Sequence, residues 1–393
     1  MKPEMELLLC CAGSRWEADG ARRAQGLLRG TLDGPRLLHL AESHGLLPWS
    51  YVRLKTLETP GDLLASWELR VRENTQHNLN LTGELLTLLA LLAEAGIPAV
   101  PYKGPFLALA LYGDLGLRQS VDLDLLVRPR DLSKTQTLLL QRGYRPHLLL
   151  NPSQEGSYRR SHAEREWQAP GGIMVDLHWG FSPRRLALDL RTGAIWARLE
   201  RQDLPGGNGE KVLGFPPEDL LLLLCIHGAK DCWSRLIWLS DLARLLETSA
   251  PLDWQLLLAR ARAAGALRML TLGLRLARDL LGSPLPPEAL RAVDQDAALD
   301  PLSGRVGLWL QAQERRRPQD VVRFQLALRE RPRDRALFCL RQAFLTGPRD
   351  WHALPLPHPL QGIHPILRPI RLAARYALPA LKEWTDWASQ SAR

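Results

Sequence analysis

The sequence predicts an α+β protein: a short α/β centre set between longer helical stretches. Three observations carry this. Apolar residues recur at helical spacing over most of the 393-residue chain, notably at both ends of it. Between about residues 97 and 178 short runs with strand character interrupt them, among them Ile97–Tyr102, Asp122–Val127 and Ile173–His178. Composition is that of an ordinary soluble domain set, 46% hydrophobic and 24% charged, which excludes disordered, fibrous and disulfide-stapled classes.

Residues 1–78 read as helical pieces broken at Gly34-Pro35, Pro48 and Pro60-Gly61. Leu79–Ala95 is a strong helix that stops at Gly96, a residue suited to the left-handed turn after a helix. A β-like segment, Ile97–Tyr102, then meets Lys103-Gly104-Pro105 and a helical Phe106–Tyr112. Asp122–Val127 is a strand bounded by Pro129, and Asp131–Arg142 a helix with Asp131 as N-cap and Gly143 beyond its end. Arg159–Gln168 and Ile173–His178 form two strands around Gly171-Gly172. From Pro216 onward the text is helical: Leu220–Ala229, Ile237–Glu247, Trp254–Ala264, Leu267–Leu281 and Pro287–Ala298. A Pro-rich stretch after residue 350 leads into a last helix, Ile370–Ala388, carrying Arg371, Arg375 and Lys382. The expected divisions are a helical region 1–78, an α/β core 79–215, a helical domain 216–300 and an extension 301–393.

The longest apolar run, Leu220–Ile226, falls far short of the ~20 residues that span a bilayer, so no transmembrane segment is expected. The mixed-charge beginning lacks a secretory signature, and the five cysteines (Cys10, Cys11, Cys225, Cys232, Cys339) have no metal-binding spacing. Together these predict a cytoplasmic protein with reduced thiols. The net charge of +9 suits an anionic partner, but 44 of the 51 basic residues are arginines scattered along the chain, with Arg315-Arg316-Arg317 the only tight cluster. The charge permits a phosphate-rich substrate without requiring one.

The chemistry concentrates in Asp122-Leu123-Asp124. On a strand, residues i and i+2 share a face, so two carboxylates point to one spot while Leu123 and Leu125 point into a core. Like charges so held raise one pKa unless a cation lies between them, and a hard divalent cation is the usual answer. Asp176, in the second strand of the hairpin, would supply a third carboxylate. Lys103-Gly104-Pro105 stands where a strand hands over to a helix: Gly104 allows close backbone approach, the helix N-terminus offers N–H groups to phosphate, and Lys103 adds a point charge. The less favoured alternative for Lys103 is a solvated turn lysine.

The run YKGPFLALALYGDLGLRQSVDLDLLV, followed by RGY at 142–144, VDLHW and LCIHGAKDCWSRLIWLSDLARLL, resembles the uncharacterised nucleotidyltransferase family of the DNA polymerase β superfamily, of the type found in bacterial biosynthetic clusters such as those of lasso peptides. The resemblance covers about Leu79 to Glu247. It implies a small mixed sheet with flanking helices and a helical domain closing a nucleotide cleft. It further implies that Asp122 and Asp124 bind two Mg²⁺ ions, with Mn²⁺ the alternative, and that Asp176 binds one of them and positions or deprotonates an attacking hydroxyl. Gly104 stands where the superfamily has a Gly-Ser phosphate loop, but the chain has Lys-Gly, and Val121 stands where glycine is common.

Around this core, Arg118 is either a phosphate ligand or an ordinary loop arginine. His178 shares the face of Asp176, either as a ligand or as a supporting residue behind the ligands. His227, Lys230 and Asp231 fall on one side of a helix, with His227 and Lys230 assigned to the nucleotide and an ion pair with Asp241 as the alternative for Lys230. Trp233 and Trp238 are expected in the core rather than as base platforms. The expected reaction is Mg²⁺-dependent transfer of a nucleoside monophosphate from an NTP, ATP foremost, to an unidentified hydroxyl-bearing acceptor. The alternatives are nucleotidylation of a tRNA end, γ-phosphoryl transfer on the same fold, and a non-catalytic nucleotide-binding partner of a biosynthetic complex. Nucleic acid is the less favoured partner, since no RNA-binding module accompanies the core.

Overall fold

The computed structural model describes residues 2–374 except 15, 191, 204–210, 250 and 313–315. The expected final helix, Ile370–Ala388, therefore lies mostly outside the described residues, Arg375 and Lys382 included.

Four helices open the chain: α1 (Pro3–Ala12), α2 (Ala21–Leu28), α3 (Gly34–Ser43) and α4 (Leu47–Leu54). Helix α5 (Gly61–Glu94) begins after Pro60 and runs unbroken for 34 residues. It joins into one helix the piece expected after the Pro60-Gly61 break and the expected Leu79–Ala95; its first half is polar and buries little besides Trp67. It ends as anticipated, with Gly96 at φ +68° and the Ile97 N–H closing onto the Leu92 carbonyl.

Strand β1 (Ala99–Pro101), helix α6 (Gly104–Tyr112), β2 (Leu123–Val127) and α7 (Leu132–Gln141) follow. Asp131 occupies the N-cap position of α7, but its side chain makes no capping bond. After the short β3 (Arg145–Pro146) comes helix α8 (Pro152–Ser161), which corrects the reading of residues 159–161 as strand. Asn151 and Gln154 close a reciprocal capping box that starts this helix, and β4 begins only at Glu164 (Glu164–Gln168). The Gly171-Gly172 turn, Gly172 at φ +86°, connects β4 to β5 (Met174–His178). A short α9 (Thr192–Trp196) and a two-stranded ribbon, β6 (Glu200–Asp203) with β7 (Lys211–Gly214), lead to the second helical stretch. That stretch comprises α10 (Pro217–Lys230), α11 (Leu236–Thr248), α12 (Trp254–Ala264), α13 (Leu267–Leu281), α14 (Pro287–Asp294), α15 (Leu299–Ala312), α16 (Pro318–Ala327), α17 (Pro332–Phe344), α18 (Pro348–Ala353) and α19 (His364–Leu372).

The main sheet has the order β1-β2-β5-β4-β3 and is mixed: β2 and β5 are parallel, all other neighbours antiparallel. The fold is thus α+β. One sheet face packs Leu123, Leu125, Val127, Val175 and Leu177 against Leu81, Leu85, Leu88 and Leu92 of α5 and Leu132 and Leu139 of α7. The other face meets a larger core that draws on α1, α3, α4, α10, α11, α13 and, from α16, Phe324. The strand alternation therefore turns the polar residues of β2 and β5 toward the helical half of the molecule. All five cysteines are unpaired, with Cys339 exposed and the others buried. Among the described residues no helix is long and apolar enough to cross a membrane.

Candidate active site

Parallel pairing of β2 with β5 sets Asp124 directly opposite Asp176, and Leu126 opposite His178. Asp122 immediately precedes β2. Its approach is fixed from α5, where buried Asn78 donates through Nδ2 to the carbonyls of Leu115 (2.5 Å) and Arg118 (2.7 Å). Gly104, the first residue of α6, has φ +58°, and a Cβ there would lie 2.9 Å from the Asp122 carbonyl oxygen. Glycine is required at this handover on both counts, and it lets the Lys103 segment lie against the aspartate strand.

Asp124 is 5% exposed, and its Oδ1 accepts from Lys103 Nζ at 2.7 Å and lies 2.9 Å from His178 Nε2. Burial alone would raise its pKa, but Lys103 and His178 outweigh burial and hold the carboxyl well below the ordinary range. Its two neighbours lack such compensation. Asp176 is pushed up to about 7 by burial and then by Asp124, and Asp122 is raised by burial and Asp124 against the opposing pull of Lys103. Negative charge at this spot exceeds what the side chains neutralise. Asp124, Asp176 and His178 each bring one donor atom within 4.8 Å of the others, a spacing that could hold a metal ion; Asp122 stands outside that trio.

A polar chain extends from the trio. His178 Nδ1 lies 3.3 Å from Glu164 Oε2, the Tyr102 hydroxyl lies 3.2 Å from the same Nδ1, and Glu164 Oε1 accepts from Lys230 Nζ at 3.2 Å. Burial would raise the Glu164 carboxyl, yet His178, Lys230 and Lys103 bring it below its usual value. Burial likewise works against the Lys230 charge, while Asp231 and Glu164 reverse the balance and raise its pKa. His227 is pushed well below its usual value by burial, with Lys103 and Lys230 adding to the shift. Its ring stands edge-on to Trp238 at 5.1 Å, and its Nδ1 is 3.6 Å from Asp231 Oδ2.

The structure thus gathers Lys103, Gly104, Asp122, Asp124, Asp176 and His178 around one point, with Lys230 joined to them through Glu164. Two expected residues have other partners. Arg118, 6% exposed, donates from Nε and Nη2 to the two carboxylate oxygens of Asp241, each at 2.9 Å, and Asp241 also accepts from the Tyr112 hydroxyl. This buried pair ties α11 to α6 and the loop before β2. It corrects both the reading of Arg118 as a phosphate ligand and the alternative pairing of Lys230 with Asp241. Trp233 is fully buried, as expected. Sequence reasoning missed Glu164 and Tyr102. Glu164 faces His178 only through the hairpin register, Glu164↔His178, which the Gly171-Gly172 turn signals without specifying.

No curated protein matches the chain at a significant level. A mixed sheet bearing paired aspartates on parallel neighbours, beside a lysine and a glycine at a helix start, is in keeping with what the family comparison finds: residues 31–282 match the family described as uncharacterised nucleotidyltransferase, and the chain belongs to that family.

Proposed function

We propose that the protein transfers a nucleoside monophosphate from a nucleoside triphosphate, ATP foremost, to a hydroxyl-bearing acceptor, with Mg²⁺ as cofactor. The observation that carries this reading is the in-register pair Asp124–Asp176, with Asp122 two residues upstream and the pKa of Asp176 and Asp122 both raised. Carboxylates that hold their protons this tightly are a fitting seat for a divalent cation.

Asp122, Asp124 and Asp176 would hold the metal through oxygens, the donor preferred by Mg²⁺ and shared by Mn²⁺. When bound, Mg²⁺ supplies charge neutralisation at the entering and leaving oxygens. His178 has a nitrogen in reach, but its two nitrogens face Asp124 and Glu164, so we assign it to orienting Asp124. Lys103 supplies positive charge to the triphosphate, and Gly104 lets phosphate oxygens approach the backbone. Asp176 receives the acceptor's hydroxyl proton as the acceptor oxygen bonds to the α-phosphorus and pyrophosphate leaves. Lys230, held by Glu164, faces the same phosphates from the helical side.

The test uses ATP labelled at the α- or at the γ-phosphate, incubated with Mg²⁺, the purified protein and a host extract, beside an Asp122→Ala/Asp124→Ala variant. Label carried from the α position by wild type and not by the variant is the expected result. Transfer from the γ position alone would make the protein a kinase. Movement of neither label, with the variant binding ATP as well as wild type, would leave a non-catalytic binding partner.

A further inference from the structure

A cleft of about 740 Å³ lies between α3, the turn that follows α10, and the facing ends of α15 and α16. Its volume falls in the range of small-molecule sites, roughly 300–1,000 Å³. It is distinct from the carboxylate cluster but shares a wall with it, since Lys230 lines the cleft and bonds Glu164 at 3.2 Å. Glu164 leads on to His178 and Asp124 through contacts of 3.3 and 2.9 Å.

Two indoles, Trp238 and Trp309, provide apolar surface in this cleft, and Arg316 provides its most distinctive group. The guanidinium of Arg316 lies 4.9 Å over the Trp309 ring and donates one N–H to the Asp231 carbonyl at 3.0 Å. Stacking and that bond fix its plane, and among the described residues no carboxylate lies within ion-pair distance of it. Burial already disfavours its charge. The guanidinium also hydrogen-bonds the Cys232 side chain. Fixed, half-buried and with N–H donors remaining beyond those two bonds, it suits a planar anion held by two bonds, whether carboxylate or phosphate. Lys230 and Asp231 line the same wall, but Lys230 is already paired with Glu164 at 3.2 Å and lies 3.9 Å from Asp231, so Arg316 is the cation left for a ligand there.

We infer that this cleft binds the acceptor of the transfer reaction proposed above, and that the acceptor is an aromatic hydroxy compound bearing a carboxylate or phosphate. Its anion bonds to Arg316, its ring packs on Trp238, and its hydroxyl points past Lys230 toward the carboxylates. The inference names an acceptor class and so rests on the transfer reading, but its test reads binding alone.

Calorimetric titrations would use the full-length protein with three probes: 4-hydroxybenzoate, phenyl phosphate and the neutral 4-hydroxybenzamide. One or both anions should bind and the amide should not, and whichever anion binds identifies the group. Arg316→Gln should weaken that binding by about tenfold or more. Arg316→Lys, which keeps the charge and loses the fork, should fall between. The titrations contain no nucleoside triphosphate and so read binding whether or not transfer occurs, and failure of the one cannot pass for failure of the other. Amide binding equal to that of the anions, an unchanged affinity in folded Arg316→Gln or Arg316→Lys, or no binding of either anion at millimolar concentration would overturn the inference.

Discussion

At Gly104 a single hydrogen stands between the Lys103 loop and the aspartate strand. A methyl group there meets the Asp122 carbonyl at 2.9 Å, and the backbone at φ +58° resists any L side chain. Gly104→Ala should therefore cost about 1–2 kcal/mol of stability in urea denaturation. Because the atom it strikes belongs to Asp122, it should also reduce α-phosphate transfer far more than that stability loss accounts for. This glycine and the two aspartates were legible because their signals are local: strand alternation, and a Lys-Gly-Pro handover to a helix. Glu164 was not, since its role depends on which residue faces it across two strands. Arg118 and Asp241 were separately visible as charged residues near the motifs. Their mutual pairing, across 123 positions, is written in no local pattern.

Among elements, α11 ties the helical half to α6 and to the loop before β2 through the Arg118–Asp241 pair. Removing one member of a buried pair leaves the other charge unpaired, so Arg118→Met should cost about 3–5 kcal/mol. The double variant Arg118→Met/Asp241→Leu should recover most of that loss, as measured by urea denaturation of both proteins and wild type. A phosphate-binding Arg118 would instead show normal stability and weakened ATP binding. Helix α8 shows why some elements escaped the sequence reading. Its capping signal, Asn151 and Gln154, was present, but between Pro152 and Ser161 only the last residue is fully buried, so no apolar period marks it. The strands β2, buried along its length, and β5, with Val175 and Leu177 buried on one face, were legible throughout.

For the whole molecule, His44 makes stability depend on pH. It is 3% exposed, its Nδ1 accepts from the Leu236 N–H at 3.4 Å, and burial pushes its pKa down to about 4. The unfolded chain binds a proton there below about pH 6.5, whereas the folded protein does so only near pH 4. Between these values the unfolded state carries more protons, so the His44 contribution is complete above pH 6.5 and is lost as pH falls toward 4. Urea midpoints at neutral pH and near pH 4.5 should show wild type losing on the order of 2 kcal/mol more than His44→Asn across that interval. The mixed sheet has a consequence of another kind. Asp124 and His178 stand 54 positions apart, and they meet only when β5 inserts between β2 and β4. A parallel pair of this sequence separation forms late, after local helices and the β4–β5 hairpin. A nascent chain, or one trapped with an open sheet, therefore has every residue of the Asp124–Asp176–His178 cluster and no cluster. Assembly of that cluster then serves as a clock for the closing of the sheet.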